Sequence, residues 1–347
     1  MRNASFLRGL PLLLLLLPLS GLPGQAWAAK STLDISFIDV EGGQATLLVT
    51  PAKESLLVDA GWPGFNGRDA DRIIAVARKA GLNRIDYLMI THYHTDHAGG
   101  AEQLAAKFPI GTFVDHGPNT ETGPRAAELA AAYDRARAKS KHLVLKPGDR
   151  IPLKGVDVIA VTARGEKIAK PLAGGGDANA QCAGAPQKAA DPTENARSLG
   201  IHVRYGKFRF LDIGDLTWNK ELELVCPNNL LGKVDVYLTT HHGMDASGPP
   251  AIVHALAPRV AIMNNGAKKG GAPPAWQAVK SSPGLEDLWQ VHFALAGGKE
   301  NNTADDHIAN IEENCKGFGL TVSAEKSGAF SVSNERNGKV KQYAARK

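Results

Sequence analysis

The chain has 347 residues and a formal charge of +5. This length allows one large α/β domain or two small ones, and the mild basic excess suits an anionic substrate without requiring one. Its three cysteines lack the paired spacing of a cysteine-based zinc site.

The first 28 residues have the features of a secretory signal peptide. Arg2 and Arg8 lie in a basic start, a leucine-rich core follows, and Ala26-Trp27-Ala28 forms an A-x-A cleavage site. A membrane anchor is the alternative, but the apolar core is short and two prolines interrupt it, whereas a spanning helix needs about 20 apolar residues. We expect cleavage near Ala28/Ala29, export to the periplasm or the medium, and no stable membrane insertion afterwards.

The rest, residues 29–347, is interpreted as one hydrolase domain with a charge of +3 once the two leader arginines are removed. Its opening part alternates between β-rich and βα segments, with strands at 33–40, 44–50, 54–60, 85–91 and 110–116 and helices at 68–81, 99–108 and 122–139. A second part repeats this character, with strands at 142–146, 150–153, 156–163, 198–205, 207–214, 234–240 and 259–264. Two halves of similar order predict an α/β fold, a four-layer αββα sandwich.

Residues 164–192 lack periodicity and are rich in Gly, Ala and Pro, so they are predicted to form a long loop. Such a loop is usually a functional lid or a disordered segment. Cys182 and Cys226 lie in loop-like sequence that flanks the same predicted strand pair, which favours a disulfide between them. Three buried free thiols, including Cys315, are the alternative.

The segment "THYHTDHAGG", residues 91–100, follows a buried strand and concentrates side chains of metal-ligand type. His92 and His94 are two residues apart, so their rings can point to the same side, and Asp96 and His97 can reach a second point nearby. Neutral imidazole and carboxylate are ligands that suit zinc. Two metals about 3.5–4 Å apart need a further carboxylate to bridge them.

Two later strands also end in candidate ligands. Asp215 follows the strand at 207–214, and His241 and His242 follow the strand at 234–240. Sites in open α/β sheets are built at the carboxyl ends of strands. A lone residue at such a position is more often a cap or turn residue, but the four ligand-type residues of H-x-H-x-D-H favour a site.

These motifs resemble the metallo-β-lactamase superfamily. The resemblance rests on H-x-H-x-D-H at 92–97, "LLVDAG" at 56–61, "GD" at 214–215 and a histidine after a later strand, in the same order along most of the chain. Within the superfamily, "THYHTDHAGG", "TENARSLGIHVRYGKFRFLDIGD" and "THHG" are most similar to the hydrolase domain of competence-type DNA-uptake proteins. Related secreted phosphodiesterases are also similar.

The resemblance implies a role for each matching residue. It implies a sandwich of the metallo-β-lactamase type that holds two zinc ions, with manganese or iron as alternatives. The implied metal ligands are His92, His94, Asp96, His97, Asp215 and His241. Asp215 would bridge the metals, and Asp59 would hold the ligand loop from outside.

The two adjacent histidines allow more than one assignment. If His241 binds metal, His242 points elsewhere in an extended chain and could donate a proton to the substrate, so we name Asp96 and His242 as catalytic candidates. A structural role for His242, or an exchange of roles between the two, stays open.

The sequence departs from the superfamily pattern at the third histidine of the first metal site. Asn195 stands near that place, as in the competence-type branch, and His116 could reach the rim of the site or be a turn residue. This departure leaves the occupancy of the first site open.

A metal pair of this kind supports hydrolysis of phosphoesters, lactones, thioesters or β-lactams. Asp215 stands where secreted β-lactamases of the superfamily carry a cysteine, which disfavours a β-lactam. We predict an exported metal-dependent phosphodiesterase that uses a metal-bound hydroxide on a small or polymeric anionic substrate, nucleic acid included. The chain has no basic run with interleaved aromatics, and the basic patch at 265–271 is interpreted as a solvated loop. A non-catalytic periplasmic binding protein is the alternative of another class.

Overall fold

The computed structural model describes Met1 and residues 31–346. The chain divides into a unit of residues 1–30 and a unit of residues 31–347, and the second unit holds every element named below. The predicted signal peptide, residues 1–28, lies outside the described residues apart from Met1. Within the described part, no helix combines the length and the apolar character that crossing a bilayer requires.

The first sheet has nine strands in the order β18-β17-β16-β1-β2-β3-β4-β5-β6. Its strands are β1 (Leu33–Phe37), β2 (Thr46–Val49), β3 (Ser55–Val58), β4 (Ile85–Met89), β5 (Ile110–Asp115), β6 (Lys141–Val144), β16 (Leu320–Ala324), β17 (Phe330–Asn334) and β18 (Val340–Tyr343). Neighbours from β18 to β3 pair antiparallel, and those from β3 to β6 pair parallel.

The second sheet runs in the order β15-β14-β13-β12-β11-β10-β8-β7, with β9 paired to β8. Its strands are β7 (Arg150–Leu153), β8 (Val156–Ala163), β9 (Glu166–Lys167), β10 (Gly200–Tyr205), β11 (Phe208–Asp212), β12 (Val236–Leu238), β13 (Val260–Met263), β14 (Asp287–His292) and β15 (Ile308–Asn310). Strands β11 to β15 pair parallel.

Seven helices join these strands in the described part of the chain. They are α1 (Arg68–Lys79), α2 (Thr95–Ala98), α3 (Ala101–Lys107), α4 (Pro124–Arg137), α5 (Trp218–Val225), α6 (Pro250–Leu256) and α7 (Pro273–Lys280). In α1 the buried residues Ile73, Ile74 and Ala77 recur at helical spacing, and Gly81 follows the helix at φ +81°. Only glycine adopts that φ without strain, so it ends the helix there.

The two sheets pack face to face. Alternate residues of β1, namely Leu33, Ile35 and Phe37, are buried in a core that also contains side chains of the second sheet. Phe37 and Phe210 meet there edge to face, with ring centroids 5.9 Å apart. Separate apolar clusters join α1, α3 and α4 to the first sheet and α5, α6 and α7 to the second. The predicted four-layer αββα sandwich is therefore confirmed.

Some predicted boundaries were wrong. The predicted helix at 99–108 corresponds to α3, which begins at Ala101, and a separate short helix, α2, lies inside the histidine motif. A Cβ on Gly99 would lie 2.2 Å from the Thr95 carbonyl oxygen, and one on Gly100 would lie 2.0 Å from the Ala60 carbonyl oxygen. The glycine pair thus lets the motif pack against the 60–63 segment that follows β3, and the chain turns between the two helices.

The long loop at 164–192 carries more structure than predicted. It contains β9 and a 3₁₀ turn at Ala180–Gly184. A disulfide joins Cys182 in that turn to Cys226 at the end of α5, with the Cα atoms 5.7 Å apart. The favoured pairing is confirmed, and it fastens the loop to the helix that follows Asp215.

Candidate metal centre

The histidine motif lies where β4 leaves the first sheet. Asp59, just after β3, fixes the start of the motif, because Oδ1 accepts the Thr91 N–H at 2.8 Å and Oδ2 accepts the Thr91 hydroxyl at 2.8 Å. The same Oδ2 lies 2.7 Å from His97 Nδ1. Asp59 is fully buried. It contacts Nδ1 of His97, the nitrogen that faces away from Asp96 and Asp215, and the resemblance implies such a position behind the ligands.

Two side chains of this motif converge with two side chains that follow strands of the second sheet. Asp96, His97, Asp215 and His242 each offer a ligand atom, and these atoms lie within 4.8 Å of one another. His97 Nε2 is 3.2 Å from Asp96 Oδ2 and 3.2 Å from Asp215 Oδ2. His242 Nε2 lies 3.3 Å from Asp96 Oδ2. Two imidazoles and two carboxylates form a donor set that suits a divalent metal such as zinc.

The fourth member of this group is His242, whereas the sequence interpretation assigned His241 to the second metal. Residues 240–243 form a tight turn in which His241 has φ 55° and ψ 45°, and His242 has φ 55° and ψ 16°. Two consecutive left-handed residues are costly outside glycine, and such strain is typical of functional sites. Neighbouring side chains point apart in an extended chain, but this turn brings both imidazoles toward Asp215.

His241 and His92 approach Asp215 separately from the four-residue group. His241 Nε2 lies 3.4 Å from Asp215 Oδ2, and His92 Nε2 lies 4.0 Å from the same oxygen. The His92 and His94 rings meet edge to face, with centroids 4.6 Å apart. His92 and His241 thus approach the same oxygen of Asp215, and His94 lies against His92. We refer to His92, His94 and His241 as the three-histidine set.

The outer nitrogens of most of these histidines are already engaged. Thr91 Oγ1 lies 3.0 Å from His92 Nδ1, and Ser247 Oγ lies 3.2 Å from His241 Nδ1. His94 differs, because its Nε2 lies 2.9 Å from Glu121 Oε1. Its Nδ1 is therefore the nitrogen that would bind a metal ion. Ligating histidines usually bond through the other nitrogen to a carboxylate, carbonyl or water, which fixes the tautomer.

The unsatisfied atoms of the cluster fit a bound cation. His92 Nε2 and Asp215 Oδ1 are buried and have no hydrogen-bond partner among the described residues. Burial raises the pKa of the Asp215 carboxyl, but three neighbouring histidines outweigh it and hold that pKa well below its usual value. Burial likewise raises the pKa of Asp96, and His97 and other neighbours lower it well below the usual value. Two buried, ionised carboxylates require positive charge beside them.

Lys269 is a site residue that the sequence interpretation missed. Its ammonium pairs with Asp96 Oδ2 and lies 5.2 Å from the centre of the Trp62 ring. The 265–271 segment was interpreted as a solvated loop, but only 29% of the Lys269 side chain is exposed. A Cβ on Gly42 would come within 2.9 Å of the Lys269 Cβ, so this glycine admits the lysine. The Gly-Gly pair at 42–43 was the only hint in the sequence.

Asn195 and His116 form their hydrogen bonds with residues other than the ligand candidates in the described structure. His116 is buried and its Nε2 is 2.9 Å from Glu194 Oε2, and that oxygen also accepts the Tyr93 N–H at 3.3 Å. Burial raises the pKa of Glu194, but the hydrogen bonds from His116 and Thr120 outweigh it and lower the pKa to about 2. Glu194 thus orders the histidine motif through its backbone, a role that the sequence did not reveal.

The Asn195 side chain makes no hydrogen bond to the ligand candidates in the described structure. The side-chain oxygen Oδ1 is buried and lacks a donor. The backbone N–H of Asn195 donates to Thr193 Oγ1 at 3.2 Å. The preceding residue is linked to the motif through Glu121. The Glu194 N–H donates to Glu121 Oε1 at 3.2 Å, and the same oxygen lies 2.9 Å from His94 Nε2.

Comparison with known proteins agrees with this geometry. Residues 38–177 match the family described as "Metallo-beta-lactamase superfamily". The match supports a metallo-β-lactamase superfamily protein, and the matched residues include the H-x-H-x-D-H motif. The cluster of Asp96, His97, Asp215 and His242 is the candidate metal centre of this chain.

Among curated relatives, the hydroxyacylglutathione hydrolase of Acidiphilium cryptum is 34% identical over 114 residues, which cover 33% of this chain and 40% of that protein. The hydroxyacylglutathione hydrolase of Stenotrophomonas maltophilia is 32% identical over 104 residues, covering 29% of this chain and 37% of that protein. The matches thus span less than half of these relatives.

Two solved structures are also similar. CmlA, a diiron β-hydroxylase from Streptomyces venezuelae, has a TM-score of 0.38 and 16% identity over 73% of this chain and 47% of its own. A metallo-β-lactamase from Cronobacter sakazakii has a TM-score of 0.37 and 15% identity over 58% of this chain and 76% of its own.

Replacing Asp59 with asparagine is expected to lower metal affinity by about 10–100-fold, as changes next to ligands usually do. The amide keeps the size of the carboxylate, but it cannot accept hydrogen bonds on both sides from Thr91 and His97. Competition with a chelator measures the affinity. Asp71→Asn is the control, because Asp71 is exposed and pairs only with Lys107. Unchanged affinity in the Asp59 variant would contradict a positioning role.

Proposed function

We propose that the protein is an exported phosphodiesterase that depends on two metal ions, zinc in the first instance. Bound divalent ions would supply a nucleophile by lowering the pKa of water and would polarise the phosphoryl oxygen. One ion would be held by Asp96, His97 and His242 and the other by the three-histidine set. Asp215 would contact both ions, because its two oxygens face both groups of nitrogens.

The observation that carries the substrate class is the ammonium of Lys269 beside the carboxylates. In the described structure this lysine pairs with Asp96. With a cation on Asp96, the ammonium becomes available to an anion next to the centre. A partly exposed lysine and two divalent ions in one site favour a substrate that carries negative charge at the bond to be broken, as a phosphodiester does.

The chain's own residues set the remaining chemistry. Asp96 was named as a catalytic candidate. In this proposal it is a metal ligand, and its contact with Lys269 puts it on the side of the cluster that would face the substrate. His242 was named as a proton donor, but its Nε2 belongs to the ligand group, so we withdraw that role. The proton for the leaving group would then come from Lys269 or from solvent.

The compartment and the partners belong to the same proposal. The Cys182–Cys226 disulfide supports an oxidising compartment, since such bonds are rare in the cytosol. The leader-like start of the chain supports export to the periplasm or the medium. A nucleic acid strand is one polymeric substrate that fits a phosphodiesterase, and N-terminal sequencing of the secreted form tests the cleavage after Ala28.

A thioester hydrolase is the second candidate, because the curated relatives are named hydroxyacylglutathione hydrolases. The two candidates separate in one experiment on the metal-loaded protein. Turnover of bis-p-nitrophenyl phosphate is compared with that of an acyl-glutathione thioester and of a chromogenic β-lactam. The proposal predicts the phosphodiester as the best substrate. Preference for the thioester would overturn it in favour of the second candidate, and turnover of none would favour a binding protein.

Replacing Lys269 with alanine is expected to raise the KM for bis-p-nitrophenyl phosphate by about 10-fold, in keeping with about 1.5–3 kcal/mol for a hydrogen bond to a charged group. The metal content should stay unchanged, since a lysine is not needed to hold it. Lys268→Ala is the matched control, because this neighbour pairs with Glu313 and its side chain is 71% exposed. Equal KM values for the two variants would contradict the role of Lys269.

A further inference from the structure

Asp39, His292 and Cys315 form a second group of metal-ligand side chains that shares no residue with the metal centre. Asp39 follows β1, His292 ends β14, and Cys315 lies between β15 and β16. Their ligand atoms lie within 4.8 Å of one another. His292 Nε2 is 2.7 Å from Asp39 Oδ1, and the Cys315 thiol donates to Asp39 Oδ2 at 3.1 Å.

The three donors differ in kind. One carboxylate oxygen, one imidazole nitrogen and one thiol sulfur form a set of ligand types that suits zinc. Asp39 and His292 are almost fully buried, whereas Cys315 is partly exposed, so the group has a path for an entering ion. Cys315 is also the one cysteine of the chain outside the disulfide.

Surrounding groups hold the carboxylate in place. The Glu41 N–H donates to Asp39 Oδ1 at 2.8 Å, and Arg72 Nη1 donates to Asp39 Oδ2 at 3.1 Å. Ligating carboxylates are usually oriented by such outer hydrogen bonds. Arg72 Nη2 lies 3.2 Å from Glu41 Oε1 and 4.0 Å from Cys315 Sγ. A neighbouring guanidinium favours the thiolate, which is the form of cysteine that binds metal.

Only small movements separate this arrangement from a coordination site. Bonds of about 2.0–2.3 Å to zinc set neighbouring donors about 3.4 Å apart in a tetrahedron, and the donors of His292 and Cys315 lie 2.7 Å and 3.1 Å from the two oxygens of Asp39. The N–H of His292 and the S–H of Cys315 both point to Asp39. A metal ion replaces these protons when it binds.

We propose that Asp39, His292 and Cys315 bind a zinc ion that is distinct from the metal centre and ties the two sheets together. Asp39 extends from the first sheet and His292 from the second, so the ion would link them beside the 39–44 segment. That segment reaches the metal centre, because the Gln44 N–H donates to the Asp96 carbonyl oxygen at 3.1 Å. This site stands whether or not the proposed phosphodiesterase activity is found.

Cobalt titration of the mature protein tests the proposal directly. A thiolate bound to Co²⁺ gives a charge-transfer band in the near ultraviolet, and the nitrogen and oxygen ligands of the metal centre do not. We expect such a band to saturate at about one equivalent beyond the metal centre and to disappear on adding zinc. In Cys315→Ser the band should be lost, while the visible cobalt bands of the metal centre remain. In His292→Asn the affinity for cobalt should fall.

A second measurement does not depend on how these variants fold. In the unmodified protein, zinc should slow the reaction of Cys315 with a thiol reagent by at least about 10-fold, since a coordinated thiolate is shielded. Three results would overturn the proposal. They are no charge-transfer band at saturating cobalt with the thiol shown to be reduced, a band that persists in Cys315→Ser, and a thiol reaction rate that zinc leaves unchanged.

Discussion

Replacing Asp215 with alanine is expected to remove both metal ions and to lower phosphodiester turnover by more than about 100-fold. Changes to residues behind the ligands already cost up to about 100-fold, and Asp215 is proposed as a ligand itself. Asp215 is the side chain on which the two ligand groups meet. His97 lies 3.2 Å from its Oδ2, and His242 lies 3.4 Å from its Oδ1. Without this carboxylate, Asp96 is the one carboxylate left in the cluster, so each ion loses a ligand that the proposal gives it.

Elemental mass spectrometry and turnover of bis-p-nitrophenyl phosphate check this expectation in the same preparation. Asp245→Ala is a suitable control, because Asp245 is exposed and lies in the same loop as the two adjacent histidines. A variant that lacks Asp215 and still holds two ions would show that the carboxylate does not bridge them.

Removing His241 and removing His242 are expected to empty different metal sites, although the residues are neighbours. Each single alanine variant should lose about one metal ion of the two. The combination His97→Ala with His242→Ala should lose no more than either change alone, because both residues serve the same ion. The combination His97→Ala with His241→Ala should lose both ions, because each change empties a different site.

Metal content and thermal unfolding of the single and double variants, measured together, test this assignment. Circular dichroism shows whether a double variant keeps its fold. If His97→Ala with His242→Ala lost both ions, while His97→Ala with His241→Ala kept one, the original assignment of His241 to the second metal would be restored.

The fold could be predicted from local patterns because each half repeats the same order of elements. Alternation in β1 places Leu33, Ile35 and Phe37 on one face, and such a period is visible without any knowledge of the partner sheet. Boundaries were less accurate where tertiary packing decides them. The division between α2 and α3 depends on the close approach of Gly99 and Gly100 to the 60–63 segment, and no local signal carries that contact.

The candidate site was predicted where ligand-type residues lie together in the sequence. Four of the six residues of the 92–97 motif are of ligand type. The ends of the predicted strands before Asp215 and His241 also indicated where further ligands would lie. The direction of the two adjacent histidines was not readable. Their left-handed turn is set by the packing of residues 240–243, and non-glycine residues rarely adopt it.

Other site residues depend on contacts between distant parts of the chain. Lys269 meets Asp96 across 173 residues, and His292 meets Asp39 across 253 residues. Nothing in the sequence around Lys269 distinguishes it from Lys268, which is exposed. Glu194 was equally hidden, because an isolated carboxylate in a polar segment is normally a surface residue.

The metal content of the mature Cys315→Ser protein, loaded with zinc and freed of excess ion, tests the central claim most directly. This variant removes the proposed third site, so only the centre around Asp215 contributes. We predict about two ions per chain, and hydrolysis of bis-p-nitrophenyl phosphate that a chelator abolishes and zinc restores. A protein that is folded, contains no bound metal under these conditions and shows no turnover would contradict the account.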